Sequence, residues 1–305
     1  MLRPVRLAVL LPTDHVHRAE AFLAPGAVAE MARAAEDAGF DAVAVTDHPF
    51  PPARFLAEGG HHSLDPFVAL AFAAAATRRV RLLTQVLVLP YRNPFLVAKA
   101  AATLDVLSGG RLVLGVAAGY LEGEFAALGA DFARRNEDTD EAIDALREAW
   151  RGEPVERAGR GFRAAANVQL PRPARPGGPP IWIGGNARRA IRRAVERGDG
   201  WLPFPARARM AGYTRTAAME GLADLRAGLA YAREHAAEIG RTAPLDVCMV
   251  PFEAARGARA EDAARLAEAL PAYADAGVTW IALTLVAETR EAWCDAARAL
   301  GAALR

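Results

Sequence analysis

Short apolar runs rich in β-branched residues alternate with longer amphipathic stretches along the whole chain, and this alternation predicts a strand–helix repeat. The clearest unit lies within residues 80–120. VRLLTQVLVL at 80–89 suits a strand buried on both faces, and Pro90 stops it. Asn93-Pro94 opens a helix, with asparagine as N-cap and proline at the first helical position, where its missing N–H is not needed. The helix covers 95–107, Ser108-Gly109-Gly110 ends it, and 112–116 is a second buried strand. Two parallel strands joined by a helix make a right-handed βαβ unit.

The same reading extends over the rest of the chain. Strands are predicted at 6–11, 42–46, 181–184, 200–202, 245–251 and 278–285. Helices are predicted at 26–38, 65–76, 137–150, 187–197, 261–276 and 289–300, and a long helical pattern at 214–239 breaks at Gly221 or Gly228. The stretch 151–180, rich in Pro, Gly and Arg, is expected to be irregular. Eight strands alternating with eight helices predict an α/β fold: a single (β/α)8 TIM barrel over 1–305, with insertion loops at its C-terminal face and 150–180 as an insertion or lid. The competing fold, an open doubly wound sheet, is disfavoured because no GxGxxG follows the first strand.

Composition narrows the function. With 305 residues and 52% hydrophobic content the chain can bury a large core. Its 37 basic and 36 acidic residues balance, which argues against nucleic acid as a partner. No apolar run approaches the roughly 20 residues that span a bilayer, and Pro4, Arg6 and Asp14 interrupt the first one, so it reads as a strand rather than a signal peptide. Cys248 and Cys294 lack CxxC spacing, as expected of reduced thiols in a cytoplasmic protein.

In a barrel of this kind, chemistry sits where strands end. Asp47-His48 leaves the second strand, and histidine is the side chain best suited to exchange a proton near neutrality. The alternative is that Asp47 caps the loop and His48 packs. Ala117-Ala118-Gly119 ends the fourth strand with residues small enough for a planar ring to approach the backbone, or for a tight corner. Gly184-Gly185-Asn186 joins the fifth strand to a helix. It reads either as an anion site of free backbone N–H groups or as a plain turn with Asn186 as N-cap. Arg188 or Arg189 could add charge there. His15-Val16-His17 looks like the metal-binding start of amidohydrolase barrels, but the later ligands such a site needs are missing. His61 and His62 stay ambiguous between loop and site.

The string PYRNPFLVAKAAATLDVLSGGRLVLGVAAGY at 90–120, with VTDH at 45–48 and IWIGGN at 181–186, resembles the bacterial-luciferase-like superfamily, most of all its branch dependent on the deazaflavin coenzyme F420. The resemblance implies that His48 faces the redox ring and assists proton transfer, with Asp47 a cofactor or support residue. It implies a β-bulge at Thr84-Gln85-Val86 with a cis Gln85–Val86 bond behind the ring, and Gly184-Gly185-Asn186 as the cofactor phosphate site. A sugar-phosphate dehydrogenase of this family carries a glutamate directly after the glycine matching Gly119. Here Tyr120 stands in its place, which puts that substrate in doubt and leaves Tyr120 or Glu124 as the proton donor.

The expected function is therefore hydride transfer between coenzyme F420 and a small organic substrate. The alternatives are an FMN-dependent two-component monooxygenase and a non-catalytic flavin-binding barrel. The loops at 12–24, 47–63, 151–180 and 203–213 are expected to meet the substrate. Helix 95–107 is apolar almost all round, which hints at a homodimer.

Overall fold

The computed structural model describes residues 5–305, so residues 1–4 of the opening run lie outside it. Eight parallel strands close a barrel in chain order: β1 (Arg6–Leu10), β2 (Ala42–Val45), β3 (Arg81–Thr84), β4 (Leu112–Ala117), β5 (Ile181–Gly184), β6 (Gly200–Leu202), β7 (Asp246–Met249) and β8 (Trp280–Thr284). β8 pairs back onto β1, with Leu7 opposite Ile281. The principal outer helices are α1 (Ala27–Ala38), α2 (Pro66–Ala76), α3 (Pro94–Leu107), α4 (Arg135–Ala149), α5 (Arg188–Arg197), α6 (Leu222–Glu238), α7 (Ala263–Ala276) and α8 (Arg290–Ala303). The Asp65 carboxylate caps α2 by accepting from Phe67 and Val68, and the Asn93 side chain caps α3 through Phe95. No helix among the described residues is long and apolar enough to cross a membrane.

The barrel interior balances large residues against small ones. Trp182 of β5 and Trp280 of β8 meet edge to face at 5.4 Å, and Ala8, Ala42, Ala44 and Ala282 leave room for them. A second, larger apolar layer fills the space between the barrel and its helices.

Three stretches depart from the plain strand–helix alternation, the first with the cis bond that the family resemblance implies and the last with a break at Gly221, one of the two positions expected. The third strand is interrupted: β3 ends at Thr84, the Gln85–Val86 peptide is cis, Leu87–Val88 resumes pairing with β4, and Leu89–Tyr91 turns into a short 3-10 helix. At the interruption the Thr84 hydroxyl donates to the Gly115 carbonyl at 2.7 Å, and a Cβ on Gly115 would lie 2.0 Å from the Thr84 carbonyl oxygen. Only glycine fits this crossing of β3 and β4.

The stretch 151–180 is not wholly irregular. It holds an antiparallel hairpin, Val155–Gly159 with Phe162–Asn167. Arg157 pairs with Glu148 of α4 at 2.6 Å, and Phe162 packs edge-on against Phe95 of α3 at 5.3 Å. The hairpin thus lies on the flank of the barrel. The helical pattern at 214–239 breaks at Gly221, which precedes α6, while Ala208–Tyr213 forms a separate short helix. Gly228 stays inside α6, pressed against the Trp201 ring.

Candidate active site

A cavity of about 400 Å³ opens at the carboxyl ends of the strands. One end lies under β2, with Thr46, Asp47, His48 and His61. Gln85, Val86, Val88 and the run Ala117–Tyr120 form the middle. The far end lies under β5 and the start of α5, where Gly184, Gly185, Ala187, Arg189 and Arg193 meet Arg135 and residues 214–216. No residue of 151–180 lines it.

β2 releases Asp47 and His48 with their side chains buried. The Asp47 carboxylate accepts from both Arg92 Nη atoms, at 2.7 and 2.9 Å, and from the Val88 amide at 2.9 Å. A bidentate arginine and a backbone amide leave little acceptor capacity for a ligand. Asp47 therefore ties β2 to the chain just past the cis bond.

His48 Nδ1 lies 3.1 Å from Glu124 Oε2. Glu124 comes from a short helix, Glu122–Ala127, within the connection between β4 and α4. Its carboxylate is fully buried and also accepts from the Phe50 amide and the Tyr91 hydroxyl, both at 2.9 Å. Burial pushes this carboxyl up, but the hydrogen bonds from His48, Phe50 and Tyr91 outweigh it and hold the group below the usual carboxylate range. An ionised carboxylate can only accept, so His48 Nδ1 carries a proton, and in the neutral ring Nε2 is the open position. Glu124 thus stands behind His48 rather than on the cavity wall. The Tyr120 hydroxyl is 3.5 Å from His48 Nε2, the outer limit of a hydrogen bond. Burial first, then Tyr213 and Glu124, push its phenol up to about 12, so it is a neutral donor at physiological pH.

The middle of the cavity is lined by small and apolar residues, Val86, Val88, Ala117, Ala118 and Gly119, beside Gln85. The Gln85 side-chain oxygen is buried there without a hydrogen-bond partner among the described residues. An orphan acceptor of this kind suits a ligand with a ring N–H.

At the far end, Gly185 adopts φ +121°, which favours glycine. Its amide donates to the Leu202 carbonyl at 3.3 Å, and the Asn186 amide donates to Thr216 Oγ1 at 2.9 Å. These two N–H groups are committed, which leaves the first-turn amides of α5, without intrahelical acceptors, as the backbone donors at this end. Asn186 is not the N-cap, a position held by Ala187. Its side chain instead donates to the Phe204 and Ala217 carbonyls and accepts from the Phe204 amide, pinning the segment after β6. Arg188 turns away, over the Tyr231 ring at 5.0 Å. Arg189 lines the cavity but pairs with Glu137 at 2.8 Å, and Arg193 pairs with Asp140.

Arg135 has no carboxylate partner among the described residues. It rests on the Phe132 ring at 4.1 Å, and burial followed by the nearby Arg215 charge lowers its pKa. Arg215 itself sits at φ +51°, a conformation that costs a non-glycine residue and clusters at ligand sites. Sequence reasoning missed Arg135, Arg215 and Thr216 because nothing local separates them from solvated surface. Tyr91 and Arg92 carried a signal, being two polar residues between an apolar strand and an apolar helix.

A sequence model of the luciferase-like monooxygenase family matches residues 5–303. Among curated proteins, a putative coenzyme F420-dependent oxidoreductase of Mycobacterium tuberculosis is 36% identical over 207 residues, covering 64% of this chain and 56% of the relative. The 4-hydroxyprotoasukamycin monooxygenase of Streptomyces nodosus subsp. asukaensis is 37% identical over 193 residues, covering 60% of this chain and 50% of the relative. The matches thus span about half the length of these relatives. Among solved structures, an F420-dependent secondary alcohol dehydrogenase in complex with an F420–acetone adduct shares the fold, with a TM-score of 0.77 at 19% identity, over 99% of this chain and 100% of that one.

Proposed function

The chain belongs to the luciferase-like monooxygenase family, and we propose that it is an oxidoreductase that transfers a hydride between coenzyme F420 and a small organic substrate. The observation that carries this reading is the His48–Glu124 pair: a histidine on the cavity wall, oriented by a fully buried carboxylate, with its other nitrogen beside Tyr120. When bound, the deazaflavin supplies a ring carbon that gives or takes a hydride.

The residues present fit such a group. Gln85 Oε1 is an unpaired acceptor for a ring N–H, and Ala117, Ala118 and Gly119 admit a planar ring. Arg135 and the first-turn amides of α5 suit a phosphate. The chain's own part in catalysis is to orient substrate and exclude water while His48 Nε2 accepts or returns the proton of the substrate oxygen. Glu124 holds the tautomer and stabilises the imidazolium that forms. Tyr120 donates a hydrogen bond to the same oxygen.

The similarity to a monooxygenase supports a second reading, a flavin-dependent monooxygenase using FMN. Fluorescence titration with F420, and with FMN in a parallel cell, separates the two. Saturable micromolar F420 binding with much weaker FMN binding supports hydride transfer. The reverse preference moves the assignment to oxygen-dependent chemistry.

Two further proposals concern the whole protein. Val68 and Phe72 of α2 and Leu96 and Leu107 of α3 are exposed, which supports a homodimer through these helices. Sedimentation of the wild type against Phe72→Asp tests it. Both cysteines are buried and unpaired, as in cytoplasmic proteins.

A further inference from the structure

His61 comes from the loop after β2 and lines the same end of the cavity as His48, edge to face with it at a centroid distance of 4.8 Å. Its Nδ1 lies 2.8 Å from the His62 carbonyl oxygen. A carbonyl only accepts, so the Nδ1 position carries the proton and Nε2 presents a lone pair. No partner for Nε2 exists among the described residues.

Burial is the largest influence on this ring and lowers its pKa. His48 and His15 act in the same direction, against the His62 carbonyl and Asp14. The imidazole is therefore neutral at physiological pH, an acceptor rather than a cation.

The surroundings are aromatic, and the charged groups nearest them are the carboxylates of Asp14, Asp47 and Glu124, with Asp47 paired to Arg92. Phe55 stands 6.3 Å from His61 and 6.5 Å from Tyr120, and Tyr120 stands 6.0 Å from Tyr213. The arginines of the cavity gather at the other end, under β5. That is three strand positions from β2, or about 14 Å around the wall.

We infer that His61 is a substrate-binding residue that selects an uncharged alcohol or carbonyl compound with an apolar or aromatic body and a hydrogen-bond donor beside the reacting carbon. This inference rests on the hydride-transfer reading for its kinetic arm only. A substrate donor group occupies His61 Nε2 while the reacting oxygen meets His48 Nε2 and Tyr120. A phosphorylated substrate meets the Asp47 carboxylate at this end and, among the described residues lining it, no arginine or lysine, since Arg92 is already paired with Asp47, so its desolvation is uncompensated. A substrate lacking the donor leaves the acceptor unpaired.

The experiment uses three probes: 1-phenylethane-1,2-diol, 1-phenylethanol, and the phosphate monoester of the diol. The ring-15N signal of His61 Nε2 is assigned by its absence in His61→Gln. It is expected to shift with the diol and not with the ester, with or without F420. In turnover with F420, the wild type is expected to favour the diol over 1-phenylethanol about tenfold in kcat/KM, equivalent to one neutral hydrogen bond. His61→Ala is expected to erase that preference, and His61→Gln, whose amide oxygen also accepts, to keep part of it. F420 affinity, titrated in the same samples, should be equal in all three proteins. Tighter binding of the phosphate ester, or an unchanged preference in His61→Ala, overturns the inference and leaves the cofactor reading standing. Failure of F420 to bind removes the cofactor reading, and the 15N shift alone then decides the role of His61.

Discussion

The imidazole of His48 and the carboxylate of Glu124 meet at 3.1 Å although 76 residues separate them in the chain. Three donors converge on that one carboxylate, which keeps it ionised and makes His48 Nδ1 the protonated nitrogen. The nitrogen left free is the one nearest Tyr120 and the cavity.

Replacing Glu124 by glutamine tests this relationship. A glutamine amide can donate to Nδ1, which permits the other tautomer and removes the negative charge behind the ring. We expect Glu124→Gln to lower kcat about 100-fold while leaving F420 affinity within about twofold. Steady-state rates beside the fluorescence titration provide the check. Unchanged kcat would mean that His48 does not depend on Glu124.

Arg135→Ala tests the far end of the cavity. This guanidinium has no acid partner among the described residues, so its removal costs one hydrogen bond to the Phe132 carbonyl, at 2.9 Å, and the contact with the Phe132 ring, whereas a bound phosphate loses a direct counter-charge. F420 affinity should fall about tenfold, and its dependence on salt should weaken. Arg188→Ala, removed from the cavity and lying over Tyr231, serves as the control and should bind normally.

Gly115→Ala tests the crossing of β3 and β4. The added methyl would meet the Thr84 carbonyl oxygen at 2.0 Å and Leu202 Cδ1 at 2.9 Å, and backbone cannot yield as a side chain can. We expect a loss of about 2–4 kcal/mol in urea unfolding. Undiminished stability would show that the two strands can separate without cost.

Glu36→Gln tests how β3 is anchored. The Glu36 carboxylate on α1 accepts from the amides of Arg78, Arg79 and Val80, the last two at 2.6 and 2.9 Å. Burial opposes its ionisation, but these amides prevail and its pKa is lowered. A depressed carboxylate stabilises the fold fully above its unfolded value, about 4.5, and loses that contribution as pH falls through the folded value. The variant should cost about 1–2 kcal/mol at pH 7, with the gap narrowing in acid. A gap independent of pH would remove the charge from the explanation.

Much of the barrel was legible in the chain. Ile181–Gly184 and Gly200–Leu202 match their predicted bounds, because a strand buried on both faces must be a continuous apolar run. Asn93-Pro94 and Asp65-Pro66 start their helices as cap chemistry requires. His48 was legible as a polar residue leaving an apolar strand at the end where such barrels do chemistry. The cis Gln85–Val86 bond was legible only through the family string, since residues 80–89 read as an unbroken strand.

What sequence alone determined was the order of the elements and the candidates at the strand ends, because periodicity, caps and turns are local properties of neighbouring residues. What only the tertiary structure decided was partnership. It put Glu124 behind His48, set Asp47 on Arg92 and Val88, turned Asn186 toward Phe204 and Ala217, and brought Arg135 to the cavity. Each of these contacts joins residues far apart in sequence. A buried polar group takes whichever partner the closed barrel brings within hydrogen-bond distance, and no spacing along the chain encodes that choice.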